Sequence, residues 1–216
     1  MPAAGKVITG FSKPYVAVYN NSGGTVTYTS GQELARGVNV NIEVETADDN
    51  HFFANNVSAE SSQGRFRSGT LTITVDGLLE AARRLIYGLP EPEEITVNEQ
   101  QVEVINYGDS QQIPYMGVGW IVRYQSDGVV TYSPQMLTKV RFNQGNEAAA
   151  TQEEDIDWQT EELTAAISRD DTAEHNWRRL AADQTSEAEA EAVLQVLLGI
   201  TPAAAASTTS QGGAAT

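Results

Sequence analysis

Two groups of residues have types and spacings that could do chemistry. Asp48, Asp49 and His51 form one, and Asp170, Asp171 and His175 form the other. Carboxylates beside an imidazole can ligate a divalent metal or act as a general acid/base pair. If Asp171 opens a helical turn, His175 falls four residues later on the same face. Plainer roles compete with this. Asp170 or Asp171 is well placed to cap a turn running into Asn176-Trp177-Arg178-Arg179, and Asp48-Asp49 suits an ordinary loop. Histidine–carboxylate pairs are common without sites, so the expectation is no catalytic residue, no cofactor, no metal and no enzyme.

Other chemistry-bearing patterns are weaker. The chain has no cysteine, which excludes disulfides, thiolate nucleophiles and Cys-based zinc sites. Gly117-Val118-Gly119-Trp120 falls inside a strand pattern, so it cannot cradle a phosphate at a helix start. No serine nucleophile elbow occurs. Asn20-Asn21-Ser22 and Asn56-Val57-Ser58 match glycosylation sequons, which carry little weight where the start of the sequence reads as no secretion signal. Arg83-Arg84 and Arg178-Arg179 read as solvated helix faces or partners for the many acids.

The distribution of acids says more. Of 216 residues, 13 are Lys or Arg and 29 are Asp or Glu, a formal net charge of −16. Non-specific attraction to nucleic acid is implausible for such a chain. No apolar run approaches the ~20 residues of a membrane span. These features predict a soluble, acidic protein made in a cytoplasm. Nine acids and one base lie between Glu147 and Asp171, with Glu153, Glu154, Asp155 and Asp157 close together, and five acids and no base lie between Glu91 and Glu103. Acid runs usually form solvated faces. The alternative is a functional negative surface that repels a passing polyanion.

The elements that must position these groups are mostly short strands. Tyr15–Tyr19 and Thr25–Thr29 flank the turn-forming run Asn20-Asn21-Ser22-Gly23-Gly24. Val38, Val40, Ile42 and Val44 alternate with polar residues, as do Leu71, Ile73 and Val75. Residues 95–107 change phase, so a hairpin or a bulged strand is expected there. Met116, Val118, Trp120, Val122 and Tyr124 share one face, with Gly117 and Gly119 leaving room on the other. Asp127-Gly128 is a hairpin turn leading to a return strand that ends near Phe142, with Pro134 demanding an edge or a bulge. Leu163, Ala165 and Ile167 mark a last strand. Seven or eight strands are expected in all.

Two helices interrupt them. Leu78, Ala82, Leu85, Ile86 and Leu89 predict a helix over about 77–88, capped by Asp76 and closed by Gly88 and Pro90. Ser186 with Glu189 forms a capping box, and Ala190, Val193, Leu197 and Ile200 give a narrow apolar stripe for a helix within 181–200. Residues 201–216 hold only small and polar types apart from Pro202, and read as a disordered tail. Two stretches read as long loops: 45–67, polar but carrying Phe52-Phe53, and 143–157. A loop of some 20 residues is unusual in a compact domain and often functional.

Several segments, taken in order, resemble the major tail proteins, or tail tube proteins, of long-tailed bacteriophages. They are Gly10-Phe-Ser-Lys-Pro-Tyr-Val-Ala-Val-Tyr19, Gly31-Gln-Glu-Leu-Ala-Arg-Gly37, and Ser68-Gly-Thr-Leu-Thr-Ile-Thr-Val-Asp-Gly-Leu78 leading to Gly88-Leu-Pro90. Pro114-Tyr-Met-Gly-Val-Gly-Trp-Ile-Val-Arg-Tyr124, Ala150-Thr-Gln-Glu-Glu154 through Asp157-Trp-Gln-Thr160, and Arg169-Asp-Asp-Thr-Ala-Glu-His-Asn-Trp-Arg178 complete the series. The resemblance spans about residues 8–180 and rests on number and order, since no one segment is a mechanistic motif.

The resemblance implies a mainly β fold: a tail-tube-type β-sandwich or barrel over 1–180 with one flanking helix, followed by a C-terminal helix and a tail. It implies hexameric rings that stack into a hollow tube in the virion, assembled in the host cytoplasm. Tape-measure and tail-tip or terminator proteins would be partners, and DNA would pass through the lumen without specific binding. On that reading Asp48, Asp49, His51, Phe52 and Phe53 are candidates for contact between subunits or rings. Glu153, Glu154, Asp155 and Asp157 are candidates for an acidic lumen or interface. Two other classes compete with the tube subunit and its relative, a tail terminator or connector. One is a carbohydrate-binding or adhesin sandwich using Trp120, Trp158 and Trp177. The other is a metal-dependent hydrolase using both Asp/His groups.

Overall fold

The computed structural model describes residues 5–48, 50–54, 57–62, 64–109, 111–145 and 159–202. The fold is mainly β. Seven strands form the path of one large antiparallel sheet: β1 (Val7–Ser22), β2 (Thr25–Glu33), β3 (Gly37–Thr46), β6 (Phe66–Val75), β9 (Met116–Ser126), β10 (Val129–Phe142) and β11 (Glu161–Ser168). Their order is β2-β1-β9-β10-β11-β6-β3, and a three-residue strand, β12 (Arg178–Leu180), adds to β10 beside β11. Two hairpins stand apart from it, β4 (Asn50–Ala54) with β5 (Val57–Ser62), and β7 (Glu93–Val97) with β8 (Gln100–Val104). The helices are α1 (Glu80–Tyr87) and α2 (Glu187–Leu197).

The sheet curls because two of its longest strands carry bulges. In β1 the register against β9 shifts between Ser12 and Tyr15, where Lys13 takes a φ of 53°. The extra residue reverses the phase, so Phe11 and Val16 both face inward despite an odd spacing. In β10 the register against β9 shifts between Leu137 and Val140, and both of those side chains again reach the interior. Rolled this way, the sheet brings β3 back towards β1, and a Cβ on Gly37 would lie 2.1 Å from the Phe11 ring.

The rolled sheet encloses the main core. Leu71, Ile73 and Val75 of β6, Val118 and Trp120 of β9, and Leu163 and Ile167 of β11 are buried there, with α1 closing one end through Ala82 and Ile86. A second, smaller core lies on the outer face of β1, β9 and β10. There α2 buries Ala190, Leu194 and Leu198 against Tyr15, Ala17, Ile121 and Met136. Each buried leucine contributes about 2 kcal/mol by loss of water contact alone. The glycines of β9 make this layer possible, since a Cβ on Gly119 would meet Leu194 and one on Gly117 would meet Tyr28.

Several sequence expectations are corrected. Residues 45–67 are not an irregular loop: β3 continues to Thr46, β6 begins at Phe66, and the β4–β5 hairpin fills the interval. Over residues 95–107, of the hairpin and the bulged strand expected, the hairpin is present: β7 and β8, turned by Asn98 and Glu99 at positive φ. Twelve strands occur among the described residues, not seven or eight. The first helix starts at Glu80, and its N-cap is Leu79 with no side-chain bond, because the Asp76 carboxylate accepts from the Arg36 backbone N–H and guanidinium instead. Gly88 ends it in the left-handed conformation, as expected. The C-terminal helix begins at Glu187, capped by Ser186, whose hydroxyl accepts from the Glu189 N–H. Pro134 sits at neither an edge nor a bulge. It pairs with Ile121 of β9, and its carbonyl accepts from the Ala181 N–H where β12 ends. A residue lacking an N–H is tolerated there because that flank of β10 is met only by a short strand and the chain leaving it. Residues 203–216, most of the expected tail, lie outside the described residues.

Candidate assembly surfaces

The second Asp/His group is a structural clip. Residues 169–177 form a turn, not a helix, so Asp171 and His175 do not share a helical face. Asp170 is buried, and its Oδ1 accepts from the Thr172 N–H (3.3 Å) and hydroxyl (2.6 Å), an Asx turn. Asp171 accepts from Lys139 Nζ at 2.7 Å and from the Tyr19 hydroxyl at 2.8 Å. The Lys139 ammonium, seconded by the Tyr19 hydroxyl, holds the Asp171 carboxyl below its usual range. Burial, with the Asp171 carboxylate beside it, pushes Tyr19 up to about 12. His175 takes a φ of 53°, with Nδ1 3.3 Å from the Asp170 carbonyl oxygen. The turn is thus pinned onto β1 and β10, with Thr138 also donating to the Asn176 carbonyl at 2.7 Å.

Among the described residues, no group of three or more His, Asp or Glu is placed to hold a metal. Of the first group, Asp48 is exposed just beyond β3. His51, Phe52 and Phe53 lie on β4 in register with Ser61, Glu60 and Ser58 of β5. Asp49, Glu153, Glu154, Asp155, Asp157 and Trp158 lie outside the described residues. Of the aromatics considered for sugar stacking, Trp120 is 1 % exposed in the core and Trp177 is stacked on Phe66, 4.7 Å between centroids at 7°. Trp120 thus offers no free ring face of the kind a sugar platform needs, and Trp177 has one face taken by Phe66. Arg83 and Arg84 serve as partners for acids, pairing with Glu161 at 3.0 Å and Glu91 at 2.6 Å.

The surfaces suited to association are the sheet edges and the two hairpins. Among the described residues, β2 and β3 each pair on one side only. The β3 edge is ten residues long and exposes Val38 and Val44; it holds neither proline nor lysine, though it carries Glu43 and Glu45 and register shifts near both ends. Native edges of that length are normally blunted, because unpaired N–H and C=O groups invite another strand. The two hairpins leave the sheet at opposite ends of β6. The β4–β5 hairpin springs from the level where Thr46 pairs with Phe66. The β7–β8 hairpin follows α1, which is held at the Val75 end by the Arg83–Glu161 pair, Glu161 being the register partner of Val75.

A third surface was missed in the sequence. Arg67 and Arg169 line one open cleft of about 420 Å3, and Arg65 and Arg169 a second of about 260 Å3 that adjoins it at Phe66 and is also lined by Glu174, His175 and Trp177. The Arg169 guanidinium lies 6.0 Å from the Phe66 ring centroid. None of the three forms an ion pair with a described residue. The signal available was the run Arg65-Phe66-Arg67 in an acidic chain, but its convergence with Arg169 depends on the pairing of β6 with β11. Compared with protein-family models and with curated proteins, the chain matches none.

Proposed function

We propose that the chain is a structural subunit that assembles with copies of itself, as a major tail tube protein of a long-tailed bacteriophage does. Copies join side by side into rings, hexameric in that family, and rings stack into a hollow virion conduit for DNA. The observation that carries this reading is that β3 pairs on one side only, among the described residues, in a rolled sheet whose two hairpins leave from opposite ends. Lateral strand pairing would close a ring and remove the exposed edge. The hairpins provide separate contacts along the strand direction. The mechanism is passive: interface energy comes from backbone pairing and docking, and a net charge of −16 disfavours adhesion of DNA sliding through a bore. Tape-measure and tail-tip or terminator proteins are the partners that go with it.

The test is negative-stain electron microscopy over a concentration series, with mass photometry beside it. Hollow rings or tubes of constant bore are the expected result. Dispersed monomers at every concentration, with tail-tip complex present as an initiator, overturn the reading.

A further inference from the structure

The three arginines around Phe66 are anomalous in a chain with more than twice as many acids as bases. Six of the 13 cations pair with carboxylates among the described residues, and Arg65, Arg67 and Arg169 are the three of the other seven that line adjoining clefts. They are also held in a way that keeps their heads available. Arg65 and Arg67 are exposed, and they flank a ring pair that packs Phe66 on Trp177. Arginines beside aromatic rings lose little entropy on binding and present flat forks to carboxylates.

A surface of the opposite kind exists on the same chain. In the β7–β8 hairpin, Glu94 stands directly across from Glu103, and Thr96 across from Gln101, on one face. Like charges directly opposite are destabilising. Neither carboxylate has a cation partner among the described residues. The other face carries Ile95, Val97 and Val102, each more than 40 % exposed. An isolated two-stranded hairpin is marginal in water, so this one lacks a partner on both faces.

We infer that the Arg65–Arg67–Arg169 cleft of one copy receives the Glu94/Glu103 face of the β7–β8 hairpin of a second copy. This deepens the self-assembly reading and rests on it. The two surfaces cannot satisfy each other within one subunit, because the cleft lies at the Phe66 end of β6 and the hairpin follows α1 at the Val75 end. Nine residue steps of strand separate those ends, about 30 Å. Complementary patches at opposite ends make a head-to-tail contact, which propagates along an axis. The contact therefore joins successive layers along the strand direction, and lateral β3 pairing remains a separate interface.

The test compares sedimentation of the full chain with that of two charge-reversed variants, Arg65→Glu/Arg67→Glu and Glu94→Arg/Glu103→Arg. All four side chains are exposed, so circular dichroism and melting should match the unmodified chain. The unmodified chain should stack at about 0.05 M NaCl and lose its stacks, though not its lateral contact, towards about 0.5 M, where charges a few ångströms apart in water are screened. Each variant alone should associate at least ~10-fold more weakly. An equimolar mixture of the two should recover association, because every contact in an alternating stack is then complementary. A merely structural role for these residues would not give that recovery. Association of unchanged strength in both variants, or no recovery in the mixture, overturns the inference while leaving the tube reading standing. An unmodified chain that never associates overturns both. A salt-sensitive complex lost in the variants, with no ring or tube under the microscope, keeps the docking contact and removes the tube.

Discussion

Gly119 of β9 and Leu194 of α2 meet so closely that a Cβ on the glycine would lie 2.4 Å from Leu194 Cδ1. Leu194 is fully buried, and the Gln135 carbonyl oxygen stands 3.1 Å from the same point, so neither neighbour has room to move aside. The absence of a side chain at one position thus sets how near the whole of α2 sits to the sheet.

Gly119→Val should therefore destabilise the protein by about 1–3 kcal/mol through overpacking. Thermal melting reads this directly, at about 2–4 °C per kcal/mol for a chain of this size. In a double-mutant cycle with Leu194→Ala the two changes should be less than additive, because the cavity left by one accommodates the other. Full additivity would show that α2 does not rest on Gly119.

The pinned turn at 169–177 predicts a definite acid response. Asp171 has a folded-state pKa below its unfolded value, chiefly because Lys139 donates to it and then because Tyr19 does. Its contribution is thus present above the unfolded carboxylate range, near pH 4, and disappears as pH falls through the lower folded value. Asp171→Asn should be less stable than the unmodified chain at neutral pH and converge with it in acid. Denaturant melts at a series of pH values check this, and a gap that persists below both values contradicts it.

The opposite limit concerns the attachment of α2. The Tyr15 hydroxyl donates to Glu191 at 2.6 Å and accepts from Gln195 at 3.1 Å. Burial first, then the bond to Glu191, pushes Tyr15 up to about 12. A raised pKa on an acid that is neutral when protonated means the stabilisation is whole below the unfolded value near 10 and is lost as pH passes 12. Ultraviolet titration should place the increment that Tyr15→Phe loses near pH 12. An increment lost near pH 10 instead means that the clamp is not as drawn.

The elements legible in the sequence were those whose pattern is local. Asp127-Gly128 fixes a hairpin by itself, since both residues accept positive φ, and β9 keeps one phase from Met116 to Tyr124. The Ser186–Glu189 cap is equally local. What escaped reading depends on distant partners. Asp76 looks like a helix cap until Arg36, 40 residues away, claims it. Asp170, Asp171 and His175 look like chemistry until Thr172 takes one Asp170 oxygen and Tyr19 and Lys139 take Asp171, which leaves only the buried Asp170 Oδ2 without a partner among the described residues of this turn. The polar segment between β3 and β6 lacks the alternation that marks a half-buried strand, yet it forms a hairpin standing off the sheet. The arginine cleft was invisible because Arg65 and Arg169 are a hundred residues apart in sequence and meet only through the β6–β11 ladder.

That standing hairpin can be removed with little cost to the body. The Ala47 N–H already donates to the Arg65 carbonyl at 2.9 Å, so a two-residue Asn-Gly turn can replace 48–64. The shortened chain should melt within a few degrees of the full one and fail to build tubes where the full chain builds them. Tubes of ordinary appearance from it would remove Asp48, Asp49, His51, Phe52 and Phe53 from the assembly contacts.

The lateral contact is separable from the axial one by its chemistry. Val38 and Val44 are 54 % and 44 % exposed on the open β3 edge, and neither is needed by the core, which takes Val40 and Ile42 from the same strand. Lysine at exposed edge positions is the usual device that keeps a strand from pairing, and an exposed substitution away from packed features moves stability by no more than about 0.5 kcal/mol. Val38→Lys/Val44→Lys should therefore fold and melt as before but fail to close rings. Because backbone pairing is not an ion contact, added salt should not restore it, whereas the Arg65/Arg67 and Glu94/Glu103 contact is the one that salt dissolves. Mass photometry at low and high ionic strength distinguishes them: short axial stacks persisting in the lysine variant at low salt, against closed single rings in the arginine variant. Intact rings from the lysine variant would place the lateral seam on another strand, with the outer edge of β2 the remaining open partner in the sheet.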